Sequence, residues 1–149
     1  MHVRGLVRGE ISGNTINGSS HRNINLSPAC RRVTIGGNQL HNARSSAVNI
    51  AWYCERIVVE GNVISSYVSS LENTDDAAIQ VYKDGTGIAV SGNSISGDWK
   101  YAVYLSQVKY STVTGNNFID GGSLPTSASR RTGLRRFPPG RSIRRAAAA

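Results

Sequence analysis

Ile57-Val58-Val59-Glu60-Gly61-Asn62-Val63-Ile64 sets apolar Ile57 and Val59 two positions apart, breaks at Gly-Asn and returns to an apolar residue at Ile64. A period of two is the signature of a strand with one face buried. The break is a sharp bend, because Gly and Asn tolerate the left-handed backbone region that other residues avoid. The same frame, apolar-x-apolar-x-Gly-Asn-x-apolar, recurs at Val33, Ile35, Gly37, Asn38, Leu40 and at Ile88, Val90, Gly92, Asn93, Ile95. Weaker copies are Ile11-Ser12-Gly13-Asn14-Thr15-Ile16 and Val113-Thr114-Gly115-Asn116-Asn117-Phe118. The five glycines lie at 13, 37, 61, 92 and 115, with successive spacings of 24, 24, 31 and 23.

A second apolar pair lies between these copies: Ile24 and Leu26, Val48 and Ile50, Ile79 and Val81, Val103 and Leu105, spaced by 24, 31 and 24. The two series march together, so each repeat unit carries three short strands. Strands this short cannot each own a core, whereas stacked coils bury one face of every strand against a shared one. The reading is an all-β parallel solenoid of four to five coils. The seven extra residues of the third unit fall between Ile64 and Asp76, as a loop insertion that leaves the strands in register.

The sequence of 149 residues is one domain by length. Its net charge of +8 is misleading, because residues 1–124 hold 10 Lys+Arg against 9 Asp+Glu while residues 125–149 hold seven Arg and no acid. The body, residues 1–123, is thus nearly neutral and gives no reason to expect nucleic acid. Residues 124–149, rich in Arg, Pro and Ala and without a Gly-Asn frame, read as a disordered basic extension. No apolar run is long enough for a membrane span. The start, Met1-His2-Val3-Arg4, does not lead into the apolar segment of a signal peptide. Cys30 and Cys54 form no metal-site spacing and leave the redox compartment open. Their separation equals the repeat, each stands three positions before a strand start, and they are expected to stack on adjacent coils. Nothing in the sequence names a cofactor or a metal.

The repeated Gly-Asn frame over about residues 9–122 resembles the right-handed parallel β-helix of pectate lyases, polygalacturonases, mannuronan epimerases and phage tailspikes. The resemblance implies three sheets, with Gly-Asn marking the bend between the second and third. With so few coils and no evident cap, the chain reads as a fragment of a longer β-helix. The resemblance also implies a polysaccharide partner, a place outside the cell or on a cell or virion surface, and a groove along the first sheet. As the runner-up it implies a non-catalytic shaft or adhesion module, for which a homotrimer is one assembly.

Counting from Ile24, Val48, Ile79 and Val103 under strict alternation gives three solvent-side columns: His21, Ser45, Asp76, Lys100; then Asn23, Ala47, Ala78, Ala102; then Asn25, Asn49, Gln80, Tyr104. An alanine floor flanked by polar groups suits a flat sugar chain. Gln80, Tyr104 and Asn49 are the candidate polar contacts, and Trp52, Tyr82 and Trp99 the candidate stacking rings. The bland alternative is an outward amide ladder that stabilises a solenoid without ligand.

Asp75 and Asp76, with Lys100, are the candidate catalytic groups. Asn73-Thr74-Asp75 resembles the Asn-Thr-Asp of polygalacturonases, but the family's second Asp pair, Gly-His-Gly and Arg-x-Lys motifs are absent. A lyase or epimerase needs a base and a cation beside a uronic carboxylate, which Lys100, Lys83, Arg44 or His21 would supply. The epimerases' Asp-Pro-His is missing, and an Asp76–Lys100 ion pair between coils is the simpler reading. His41, at a strand end, reads as a turn residue.

Overall fold

The structure, a computed structural model, describes residues 1–66 and 77–119. The Arg-rich stretch 124–149 lies outside the described residues. Every strand pairing among them is parallel. Three sheets wrap one core. The first sheet stacks His2–Val3, Arg22–Leu26, Ser46–Ala51, Ala77–Tyr82 and Tyr101–Leu105. The third stacks Thr15–Asn17, Gln39–His41, Val63–Ser66, Ser94–Gly97 and Asn117–Ile119. The second has the same five levels, with the upper two each split into a pair, Gly85–Thr86 with Ala89–Ser91 and Val108–Lys109 with Thr112–Thr114. Parallel strands need a crossover, and here each crossover is simply the rest of a coil. The all-β solenoid expected from the repeat is therefore the architecture.

The register follows the sequence frames. Ile24, Val48, Ile79 and Val103 are successive partners in the first sheet. Ile11, Ile35, Val59, Val90 and Val113 follow one another in the second, and Ile16, Leu40, Ile64, Ile95 and Phe118 in the third. Val33, Ile57 and Ile88 are all buried. The inserted residues before Ala77 leave these columns unbroken, because Val63–Ser66 pairs with Ser94–Gly97 on one side and Ser46–Ala51 with Ala77–Tyr82 on the other.

The bend between second and third sheets is held by an asparagine ladder. Gly37, Gly61 and Gly92 have φ near +60°, which turns the chain so that the next residue's amide points along the axis. Asn38 donates its N–H and its Nδ2 to Asn62 Oδ1 at 3.0 and 2.9 Å. Asn62 does the same to Asn93, and Asn93 to Asn116. Each Nδ2 also reaches a carbonyl of the coil below, Ile11, Ile35, Val59 and Val90 in turn. Asn38, Asn62 and Asn93 are buried, and the ladder leaves none of their side-chain polar atoms unpaired, which such burial requires.

One glycine is fixed by both backbone and space, with φ at +105°. A Cβ on Gly97 would overlap the Ser66 carbonyl oxygen, because Asp98 N–H is drawn onto that same oxygen at 2.9 Å.

Candidate functional site

The first sheet carries most of the aromatic side chains that ride on strands. Tyr82, Tyr101 and Tyr104 lie there, all half-buried, while the outer faces of the other two sheets show Thr34, Val58, Ala89, Gln39, Val63 and Ser94. The outer column Asn25, Asn49, Gln80, Tyr104 is in register, as the repeat predicts. Asn49 Nδ2 donates to Asn25 Oδ1 at 2.6 Å, and Ser46 Oγ donates to Gln80 Oε1 at 3.1 Å.

Strict alternation fails one step earlier. Ala47, Ala78 and Ala102 belong to the hydrophobic core and are at most 7% exposed. They are not a solvent-side floor. The column before them, Arg22, Ser46, Ala77 and Tyr101, stands outside the core cluster instead, with Ser46 and Ala77 buried and Arg22 and Tyr101 half-buried. Ser46 reaches Gln80 there, and the Tyr101 ring packs on Tyr104 with centroids 5.4 Å apart. The physical cause is the corner between the third and first sheets, where two consecutive residues turn inward before the strand settles into its period. Two inward side chains in succession crowd the corner, so the first must be small. The apolar doublets Ala47-Val48, Ala78-Ile79 and Ala102-Val103 carry that signal in the sequence.

Two further candidates sit deeper than expected. Asn49 is 1% exposed, and its Oδ1 has no hydrogen-bond partner among the described residues. Trp99 is 5% exposed, packs with the core, and donates Nε1–H to Ser96 O at 3.0 Å. It closes the corner below the first sheet and is not a surface platform. Asp75 and Asp76 lie outside the described residues.

Trp52 does lie at the surface, 42% exposed, at the corner between first and second sheets. Lys83 Nζ stands 3.8 Å from its ring centroid and 5.6 Å from that of Tyr82. Trp52, Tyr53, Lys83 and Asp84 all have φ between 61° and 64°, a left-handed double step repeated on two adjacent coils that aims Trp52 and Lys83 at each other. Lys100 is exposed, with Nζ 5.3 Å from the Tyr101 centroid. The outer face therefore offers amides and phenols in rows, an indole at one border and two ammonium groups over aromatic rings. Tyr101 and Ser46 were not legible from alternation alone.

His41 ends a strand of the third sheet, and its Nδ1 lies 2.6 Å from Ser65 Oγ. Cys30 and Cys54 precede paired strands, with Glu55 N–H donating to Cys30 O at 2.9 Å. They stack on adjacent coils as expected, both fully buried and both free thiols. Burial pushes the Cys54 thiol up to about 11. Among the described residues no three His, Cys, Asp or Glu converge on a point.

A family model described as NosD, periplasmic copper-binding protein, matches residues 1–130. The chain belongs to the NosD family. NosD proteins are right-handed parallel β-helices, in agreement with the three sheets and their register. The NosD description is that of periplasmic proteins, which agrees in a coarse sense with a place outside the cytoplasm. Among the described residues no helix is long and apolar enough to cross a membrane. No curated protein and no solved structure matches the chain.

Proposed function

We propose that this chain is a polysaccharide-contacting segment of an exported β-helix, taking its ligand along the outer face of the first sheet. The observation that carries the reading is the in-register row Asn25, Asn49, Gln80, Tyr104 along that sheet, which ends on half-buried Gln80 and Tyr104. Tyr82 and Tyr104 supply flat apolar faces for pyranose rings, and Trp52 borders the row. Lys83 and Lys100 favour an acidic glycan, since both ammonium groups stand near that face. Asp75, Asp76 and Lys100 remain the proposed catalytic groups if the segment turns its ligand over.

The copper of the NosD description does not fit the described residues. Copper(I) seeks soft sulfur ligands and copper(II) several imidazole or oxygen donors. The two sulfurs here are sealed in an apolar column, with Cys54 holding its proton more tightly than a free thiol, and no third donor among the described residues joins them. The second reading, a non-catalytic shaft, is favoured by the self-satisfied asparagine ladder, which needs no ligand to hold the coils together.

An array of acidic and neutral glycans probed with the full chain tests the proposal. Acidic glycans should bind, and Gln80→Ala with Tyr104→Ala should weaken binding at least tenfold while the melting temperature holds. Absence of binding to every glycan would leave the shaft reading standing.

A further inference from the structure

Four successive levels of the second sheet begin with the same left-handed step. Arg32, Arg56, Gly87 and Tyr110 follow one another there in register, with φ from 50° to 66°. The residue before each is exposed or half-buried and the residue after each is buried, so the step keeps two side chains outside before the strand turns inward. Such a backbone suits glycine and is uncommon elsewhere. Gly87 is what the backbone alone favours, yet the two coils before it carry arginine. Arg8 extends the column one level lower, since it precedes Gly9, the partner of Val33.

The consequence is a file of guanidinium groups. Arg8, Arg32 and Arg56 are all exposed and rise along the axis at about the strand spacing of 4.8 Å. Like charges on neighbouring strands repel each other. Glu55 does not relieve them, because it is taken by Arg31 at 3.5 Å, and among the described residues no carboxylate pairs with Arg8, Arg32 or Arg56. The next level is open: a Cβ on Gly87 would have Arg56 as its nearest neighbour, at 3.8 Å. Above it the Tyr110 ring is 85% exposed. Farther along the same strands the outer face turns acidic, with Glu10 and Glu60 exposed.

We infer that this file binds one linear acidic polysaccharide parallel to the solenoid axis, with its sulfate or carboxylate groups on Arg8, Arg32 and Arg56 and a sugar ring against Tyr110. Guanidinium presents paired N–H donors that match either oxyanion, and the phenol ring is a flat apolar face. An extended glycan with one anion per sugar repeats its charge at close to the rise of one coil. Glu10 and Glu60 repel a second row of anions, so the ligand is one chain wide. The broader charge of a nucleic-acid duplex meets those carboxylates as well. The file goes beyond the first-sheet reading, since it lies on another sheet and uses none of the same residues.

Phenylglyoxal, which modifies exposed arginine, tests this on the full wild-type chain with a hexasaccharide of polygalacturonate or of heparin as the probe. Mass spectrometry should find Arg32 and Arg56 shielded at least fivefold by one of the two, and which one separates carboxylate from sulfate. Shielding confined to Arg44, two residues before a first-sheet strand, would place the glycan on the first sheet and overturn the inference while leaving the first-sheet reading intact. Calorimetry then takes the full chain with the seven arginines of residues 125–149 changed to Gln, together with Gln80→Ala and Tyr104→Ala, so that neither tail nor first sheet contributes. The hexasaccharide should still bind, and adding Arg32→Gln with Arg56→Gln should weaken it at least tenfold at an unchanged melting temperature. Arg32→Lys with Arg56→Lys, which keeps the charge and loses the fork, should weaken it less. Equal affinity with and without the two arginines would overturn the inference, as would tighter binding of a DNA duplex through them. Should the Gln pair fail to fold, shielding on the wild type decides, and its absence with both glycans sinks the proposal.

Discussion

Asn62 shows how much one side chain can hold. Its Oδ1 accepts from the Asn38 N–H and Nδ2, and its Nδ2 reaches Ile35 O, Glu60 O and Asn93 Oδ1. Asn62→Ala strands several buried groups at once, each worth about 1–3 kcal/mol, and is expected to destabilise by about 3 kcal/mol or more in urea melts. Asn14→Ala, at the half-exposed end of the same ladder, removes bonds only to Ser12 O and Asn38 Oδ1 and should cost about 1 kcal/mol. Equal losses at both positions would mean that the ladder is not cooperative. Cys54 makes a second prediction at this scale. Its folded thiol is pushed up to about 11 from an ordinary value of 9.0, so between those values the folded state keeps a proton that the unfolded chain has lost. The contribution of Cys54 to stability should therefore be constant below about pH 9 and be lost as pH rises toward about 11, by about 3 kcal/mol at most. Cys54→Ala should remove that slope, and alkylation in mildly alkaline buffer should report unfolding only.

At the scale of the element, the first sheet departs from a simple strand at its entry. Ala47, Ala78 and Ala102 face inward beside Val48, Ile79 and Val103, so Ala78→Leu forces three extra carbons into a packed corner. The expected cost is about 2 kcal/mol, the usual range for overpacking. Were Ala78 on the outer face, as strict alternation has it, the same change would be close to neutral, and thermal melts distinguish the two. The outer face is correspondingly shifted by one residue at the strand start, which puts Tyr101 beside Tyr104 and Ser46 beside Gln80. The ion pair Arg31–Glu55, at 3.5 Å, joins two half-exposed side chains across the second sheet and contributes about 0–1 kcal/mol. The sheets are held by burial and by backbone pairing.

For the whole molecule, stacking makes the coil the unit of stability, each touching only its neighbours. Removing residues 37–60, one full repeat, joins Gly36 to Gly61 and restores a Gly-Asn bend with every later column intact. That deletion is expected to leave a cooperative β-rich fold with a lower melting temperature and a smaller m-value, since less surface is buried. Removing residues 37–56 instead is out of step with the repeat, shifts the columns and should abolish cooperative unfolding. If the in-register deletion also loses cooperativity, the coils are not the stability units.

The sequence by itself determined the repeat length, the three strands per coil, the asparagine bends and the stacking of Cys30 on Cys54. Each of these is a periodicity, and periodicity is written in residue order. The tertiary structure decided which way the alanines face, because a corner suspends the alternation that strands otherwise obey. It buried Asn49 and Trp99, whose polarity and size alone suggested a surface. It brought Lys83 of one coil over Trp52 of the coil before, a meeting that depends on two left-handed steps recurring on adjacent coils. Depth below the surface and the direction of a side chain at a corner are properties of packed neighbours, and no single coil's sequence contains them.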